Sequence, residues 1–349
     1  MITARNYDKE IMKLIDRIKL EAKPFEDSDP VSIQKRKSKA LADYKYFAKT
    51  YFPHHITRDF GEFHDELIAI PETPKTITAY AGPRGHGKSV IVADTIPIWK
   101  MLRGDIHFFV CASADEDTAT ERTGAIAAEL QHNERIKMDF GEMLPGVVAE
   151  SDFVTRANCR FLARGYKQNL RGLLHGSYRP DYIVVDDLEG HQAQNPRIAK
   201  EKKDFVREEC FGALPMEPDK GVIIWLGNLT HADSALNYFK MDCENEPDNP
   251  QIRFILRKAI EDGKPLWKEA YTMEALKAIE QAIGSIGFQR HYLMNPITEG
   301  IKFRREWFKY YKRLPDHIER IVSFTDPAMG KSAQSDYRAI ITLALAKGK

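Results

Sequence analysis

Four short apolar runs mark the middle of the chain: TITAYA at 76–81, IHFFVCAS at 106–113, DYIVVDD at 181–187 and GVIIWLGN at 221–228. Their apolar residues are consecutive rather than alternating and end in turn residues, the pattern of strands covered on both faces of a sheet. Between them, ATERTGAIAAELQ (119–131) and RIAKEKKDFVREECFGAL (197–214) repeat apolar residues at helical spacing. Alternating strands and helices predict an α/β fold, a mostly parallel sheet flanked by helices. Ahead of this region IMKLIDRIKL and ALADYKYFAKTYF predict helices packed on a larger body, with a solvated arm as the alternative for the first thirty residues. Past residue 240 the sheet signal fades, and ENEPDNPQ reads as an exposed turn that closes the first domain. A helical stretch, MEALKAIEQAIGSIGFQRHYL, and the polar NPITEG follow, then two fresh strands in RIVSFTDPAMG and YRAIITLALA. The expected parts are a helical N-terminal arm (1–45), an α/β domain (46–245), a helical linker or subdomain (246–317) and a strand pair (318–349) that looks like a domain cut short.

Length and charge set limits on partners. A chain of 349 residues exceeds the roughly 100–200 of a single typical domain. Lys plus Arg number 52 against 51 Asp plus Glu, so a net charge of +1 gives no global attraction to nucleic acid or membrane. A polyanion would have to meet a local basic surface, for which QKRKSK (34–39) and PRIAKEKKDFVREE (196–209) are candidates; such mixed runs equally fit solvated helix faces. Cys111, Cys159, Cys210 and Cys243 form no C-x-x-C pair, which argues against a zinc ribbon or disulfide framework and for a reducing, intracellular setting. The charged N-terminus has no signal-peptide core and no stretch reaches the ~20 apolar residues of a membrane span, so a soluble protein without a membrane partner is expected.

The chemistry begins where the first strand should turn into a helix. Residues 82–89 read GPRGHGKS and fit G-x-x-x-x-G-K-[ST], the phosphate-binding loop of nucleoside triphosphatases, in the strand-then-helix context that such a loop requires. Gly82, Gly85 and Gly87 permit the backbone to curl around phosphate, with Pro83, Arg84 and His86 between them; Lys88 would bridge the β- and γ-phosphates and Ser89 would ligate Mg²⁺. Pro97 follows closely, so this helix is expected to be short, kinked or ended near Thr95. IVVDDLE (183–189) places acids at the tip of a strand: Asp186 to hold the metal, Asp187 to polarise the attacking water or else cap the next helix, and Glu189 as the alternative base. In WLGNLTH, Asn228 would contact the γ-phosphate or the water, or else serve as a left-handed turn residue. Arg84 in cis, Arg171 on a neighbour's nucleotide, and Arg179 are the candidate arginines for the charge developing on a transferred phosphoryl group.

With these motifs in order, the chain resembles the large terminase subunit of tailed bacteriophages, the ATPase that packages DNA. YFPHHITRDFGEFHDEL, GPRGHGKS, LRGLLHGSYRPDYIVVDDLEG, WLGN and FTDPAMGKSAQSDYRAI carry the resemblance, which spans residues from about 45 to 349. It implies a P-loop ATPase of the additional-strand, catalytic-glutamate type at 46–245 and the start of an RNase H-like nuclease at 318–349. It implies ATP and Mg²⁺ as cofactors, Mg²⁺ or Mn²⁺ for the nuclease, and action in the host cytoplasm. The partners it implies are double-stranded DNA, a portal or procapsid, the small terminase subunit and other copies in a ring. The family's usual glutamate after the strand-tip aspartate is here Asp187, and His64 takes the stretch where a glutamine for adenine often stands. Asp326 matches the first nuclease aspartate that would hold metal, with Asp336 as an auxiliary acid. The later acids would lie past Lys349, so little or no DNA cleavage is expected from this chain.

Two other functions fit the loop alone: a small-molecule kinase, which would need an acceptor pocket and lid, and a scaffold that binds nucleotide without turnover.

Overall fold

The structure is a computed structural model that describes residues 4–190, 195–296, 317–326 and 339–346. They fall into two compact units, residues 1–297 and 298–349. In the first, seven strands form one sheet: β1 (Ile77–Ala81), β2 (Phe108–Ser113), β3 (Asp152–Val154), β4 (Arg160–Gly165), β5 (Tyr182–Asp186), β6 (Val222–Gly227) and β7 (Ile252–Leu256). Their order is β3-β4-β2-β5-β6-β1-β7, and every pairing is parallel except β3 with β4. All four apolar runs of the sequence are strands, and β1, β2 and β5 are buried along their whole length. Separate apolar clusters cover the two faces. Burial on both faces is what removes the alternation from these sequences.

Between β1, which leads into the glycine loop, and β5, which ends in the acid pair, lies one additional strand, β6. The chain is therefore α/β with a mostly parallel sheet flanked by helices, and its strand order includes the intervening strand that the resemblance implies.

Three points bear on the expected boundaries. The sheet does not close at residue 245: β7 pairs with β1 over five residues, Ile77 opposite Ile252 through Ala81 opposite Leu256. After β7 the chain forms a small hairpin of β8 (Ile260–Glu261) and β9 (Lys264–Pro265), then the helix Met273–His291, all in the first unit. The N-terminal helices pack on the larger body, as their apolar spacing predicts, and the alternative of a solvated arm does not apply to Ile18 and Ala22. Ile18 and Ala22 are fully buried in a cluster with Ala128, and Ala40 and Tyr44 join the main core. Finally, Pro97 brings the irregularity expected near Thr95, as a change of helical register rather than a stop. It sits in the first turn of the helix Ile96–Arg103, and the preceding Val90–Thr95 widens to π-helical register. There the Thr95 hydroxyl bonds Val90 O at 3.0 Å and meets the Tyr44 hydroxyl at 2.6 Å. Pro97 lacks an N–H for the helical ladder, and the first turn of a helix is where that lack is tolerated.

In the second unit, β10 (Ile318–Asp326) and β11 (Ala339–Ala346) pair antiparallel, as the two late apolar runs predict. Asp326 is the last residue of β10, and Asp336 lies outside the described residues. Among the described residues no helix is long and apolar enough to cross a membrane.

Candidate nucleotide-binding site

The loop at 82–89 turns sharply at two glycines, Gly85 and Gly87, whose φ values are +73° and +75°. At Gly82 the constraint is space: a Cβ there would lie 2.6 Å from the Tyr80 ring and 3.1 Å from Lys88 Cδ. The loop needs its glycines for conformation at two positions and for room at the third. Lys88 folds into the curl, its ammonium donating to Gly82 O and Pro83 O, each at 2.7 Å. Burial pushes the Lys88 pKa down to about 8, while Asp186 and Asp187 pull it the other way. Half-buried Ser89 opens the helical segment that follows.

An aromatic cradle holds the loop from behind. The His86 ring stacks on Tyr271 at 4.9 Å and its Nδ1 meets Arg84 O at 2.9 Å, while the Tyr271 hydroxyl donates to Gly85 O. His64, on the helix Phe63–Ala69, accepts from Gly61 N at Nδ1 and reaches His86 O through Nε2. That bonding fixes the neutral tautomer with the proton on Nε2. The His64 side chain is buried against Phe63 and Trp267, with both nitrogens used. Here His64 props the loop; the open ring face that adenine recognition expects of it is not present.

Burial lowers both His64 and His86 to a pKa of about 4. Both stay neutral in the fold, so the unfolded chain binds more protons between pH 6.5 and 4, and stability falls as pH drops through that window. Each contributes a slope of up to about 1.4 kcal/mol per pH unit. We expect His86→Phe, which keeps a ring against Tyr271, to show a shallower acid-side fall in melting temperature than the parent, measured from pH 7 to pH 4. Parallel curves would place the His86 pKa near its ordinary value.

At the tip of β5, Asp186 is buried and lies 3.2 Å from Arg122 Nε. Arg122, on the helix Glu116–His132, also lies 3.5 Å from Asp94 on the helix behind the loop. Burial alone would lower the Arg122 pKa, but Asp94 and Asp186 hold it above its ordinary value. One guanidinium thus ties the strand-tip acid to the loop's helix. Neither Arg122 nor Asp94 is marked by the sequence, because contact between two helices and a strand tip has no local spacing.

Asp187 adopts φ +53°, left-handed backbone that aspartate tolerates better than most residues. The bend sends Leu188 into the core and leaves Asp187 exposed to the cleft. The cleft walls partly desolvate its carboxyl, and that first, then Asp186, raises the pKa against the pull of Arg122, Arg84 and Lys88. Glu189 also lines the cleft but is held by backbone: Oε1 accepts from Leu236 N at 2.9 Å, at the start of the helix Ala235–Asn245, and burial raises its carboxyl. Asn228 is not left-handed. Its amide donates to Gly82 O at 2.9 Å and to His291 O at 3.3 Å, which ties the tip of β6 to the loop.

A cleft of about 570 Å³ opens at these strand ends, lined by Arg84, Asp187, Glu189, Asn228, Arg290 and His291 among others. Arg84 N donates to His291 O, so the segment after β7 forms one wall, which the sequence did not indicate. A larger cavity of about 690 Å³ lies at the opposite strand ends, beside Tyr182 and Val222. Arg179 belongs to that cavity, the wrong edge of the sheet for a role on this chain's own loop. Arg171 is half exposed and pairs with Glu209 at 3.2 Å, outside the cleft. Part of the basic runs is engaged within the fold: Arg36 grips Asp139 through two bonds, Lys202 is buried on Glu189 O, and Lys203 and Arg207 pair with Asp242, while Lys35, Lys39 and Lys200 are exposed.

The site brings a curled loop with a central ammonium, a buried acid and an open acid to one sheet edge. Such an arrangement can hold a polyphosphate with its cation and deprotonate or orient a water. No protein-family model matches the sequence, and no curated protein matches it. Among solved structures, the large terminase of bacteriophage HK97 is 15% identical with a TM-score of 0.46, over 68% of this chain and 50% of that one. The large terminase of a thermophilic bacteriophage is 13% identical with a TM-score of 0.46, over 76% of this chain and 64% of that one. The same thermophilic phage protein in complex with ADP is 12% identical with a TM-score of 0.44, over 83% and 66%. This chain thus spans about half the length of the HK97 protein. In fold, the chain is similar to these phage large terminases.

Proposed function

We propose that this chain is the ATP-hydrolysing motor subunit of a viral terminase, which drives double-stranded DNA into procapsids in the host cytoplasm. The observation that supports it most is the meeting of the Lys88 loop with the Asp186–Asp187 pair across β6 at one sheet edge. The residues fit Mg²⁺ and ATP. Gly82, Gly85 and Gly87 shape the loop, Lys88 meets the phosphates, and Ser89 with Asp186 holds the cation, which when bound offsets phosphate charge. Asp187 orients the water, Arg84 steadies charge on the phosphoryl oxygens, and Asn228 keeps the loop registered on β6. Half-exposed Arg171 can reach a neighbouring subunit in a ring assembled on a portal, with the small terminase subunit as a further partner. The choice of a DNA-packaging motor among ATPases rests on the ordered motifs of the sequence, which also make Asp326 the proposed metal-binding aspartate of a nuclease.

Phosphate release with water as sole acceptor tests the reading. We expect slow turnover by the free chain and faster turnover on assembly with a portal or procapsid. Transfer only to an added small-molecule acceptor would make it a kinase, and tight nucleotide binding without release a scaffold. Duplex binding should ignore sequence and weaken steeply with salt, with a log–log slope of about −0.9 per phosphate contacted.

A further inference from the structure

The most organised cluster outside the cleft is formed by His54, His55 and Glu129. The two histidines are adjacent in the turn after the helix Tyr44–Tyr51, with ring centroids 4.4 Å apart. Both Nε2 atoms converge on one oxygen, Glu129 Oε1, His54 at 2.5 Å and His55 at 3.0 Å. The other oxygen, Oε2, accepts from Asn133 Nδ2 at 3.0 Å, and that amide also donates to Tyr51 O. His54 and Glu129 are buried, and the His55 side chain is 15% exposed, which leaves a path from solvent.

We propose that His54, His55 and Glu129 form a binding site for one zinc ion, with water as the fourth ligand. The three ligand atoms lie within 4.8 Å of one another. Tetrahedral zinc with bonds of about 2.0–2.2 Å sets its ligands some 3.3 Å apart, so shifts of under about 1 Å at the 2.5 Å and 3.0 Å contacts reach that spacing. Two imidazoles and a carboxylate suit zinc and not magnesium, which prefers oxygen.

His54 presents Nε2 to the cluster and Nδ1 away from it. Its buried Nδ1 has no partner among the described residues, while Nε2 faces a carboxylate oxygen. A zinc ion would take the Nε2 lone pair in place of the Nε2–H bond to Glu129, with the ring proton moved to Nδ1. Asn133 on Oε2 supplies the outer bond that orients a ligating carboxylate. An ion here would fasten the turn at 52–56 to the helix whose Arg122 holds Asp186.

The test is titration of the full chain with zinc alone, in excess Mg²⁺ to fill oxygen-only sites. One equivalent should bind, with affinity reduced at least tenfold in His55→Ala and in Glu129→Gln. Cobalt alone should give a tetrahedral ligand-field absorption in the parent that is absent from His55→Ala. His55 is partly exposed and its loss leaves the His54–Glu129 contact, so this variant should fold, as circular dichroism checks. Equal zinc affinity in parent and folded His55→Ala, or no uptake by the parent, would overturn the site.

Discussion

Lys88→Ala is expected to reduce phosphate release by a factor on the order of 10²–10³ or more, the scale of losing one charged donor aimed at a reacting centre. The ammonium is already in the middle of the loop, bonded to Gly82 O and Pro83 O and close in charge to Asp186 and Asp187. Lys88→Arg should fail almost as badly, because a planar fork cannot replace a compact ammonium in so tight a curl. A pH consequence follows from burial, which sets the Lys88 pKa at about 8. Only the charged form attracts phosphate, so kcat/KM, which reports the free enzyme, should fall as pH rises through about 8. Bound polyphosphate favours the charged amine, so the fall in kcat should come at higher pH. A colorimetric phosphate assay across pH 6.5–9.5 measures both. Parent-like rates in a folded Lys88→Ala protein would mean that this loop is not where the chemistry occurs.

Why the sequence revealed this site and not its surroundings follows from where each contact is made. The loop and the strand-tip acids are local: GPRGHGKS and IVVDD each set their geometry within a few residues. β1, β2, β5 and β6 were legible because full burial leaves an unbroken apolar run. β7 escaped because it is an edge strand with exposed Arg253 inside IRFIL, and β4 because RFLARG has arginine near both ends. Arg122 and Asp94 join Asp186 only in three dimensions. His64 illustrates the reverse error. Its place ahead of the loop suggested a base-binding residue, but packing against Phe63 and Trp267 made it a support. The segment after β7 read as a linker because its contribution to the cleft, backbone of His291 bonded to Arg84 and Asn228, has no side-chain signature.

Asp187→Asn should lower turnover by about 10²–10⁴, the usual contribution of a positioned general base, while Glu189→Gln should change it only a few-fold. The two acids stand two residues apart and differ in what surrounds them. Asp187 lies in the field of Lys88 and Arg84 and opens on the cleft, whereas Glu189 is spent on Leu236 N at the start of a helix. Asparagine suits the comparison because it accepts the left-handed φ of +53° as readily as aspartate, so the backbone persists and only the charge is lost. Glutamine at 189 keeps an oxygen for the helix end, so its effect should be on stability, within the roughly 0.5–2 kcal/mol range typical of a lost cap. Partial desolvation and Asp186 raise the Asp187 carboxyl, so the acid limb of the rate profile should lie above the ordinary aspartate value and vanish in Asp187→Asn. If instead Glu189→Gln abolishes turnover and Asp187→Asn does not, the helix-bonded acid is the base, and the β5 tip must rearrange to free it.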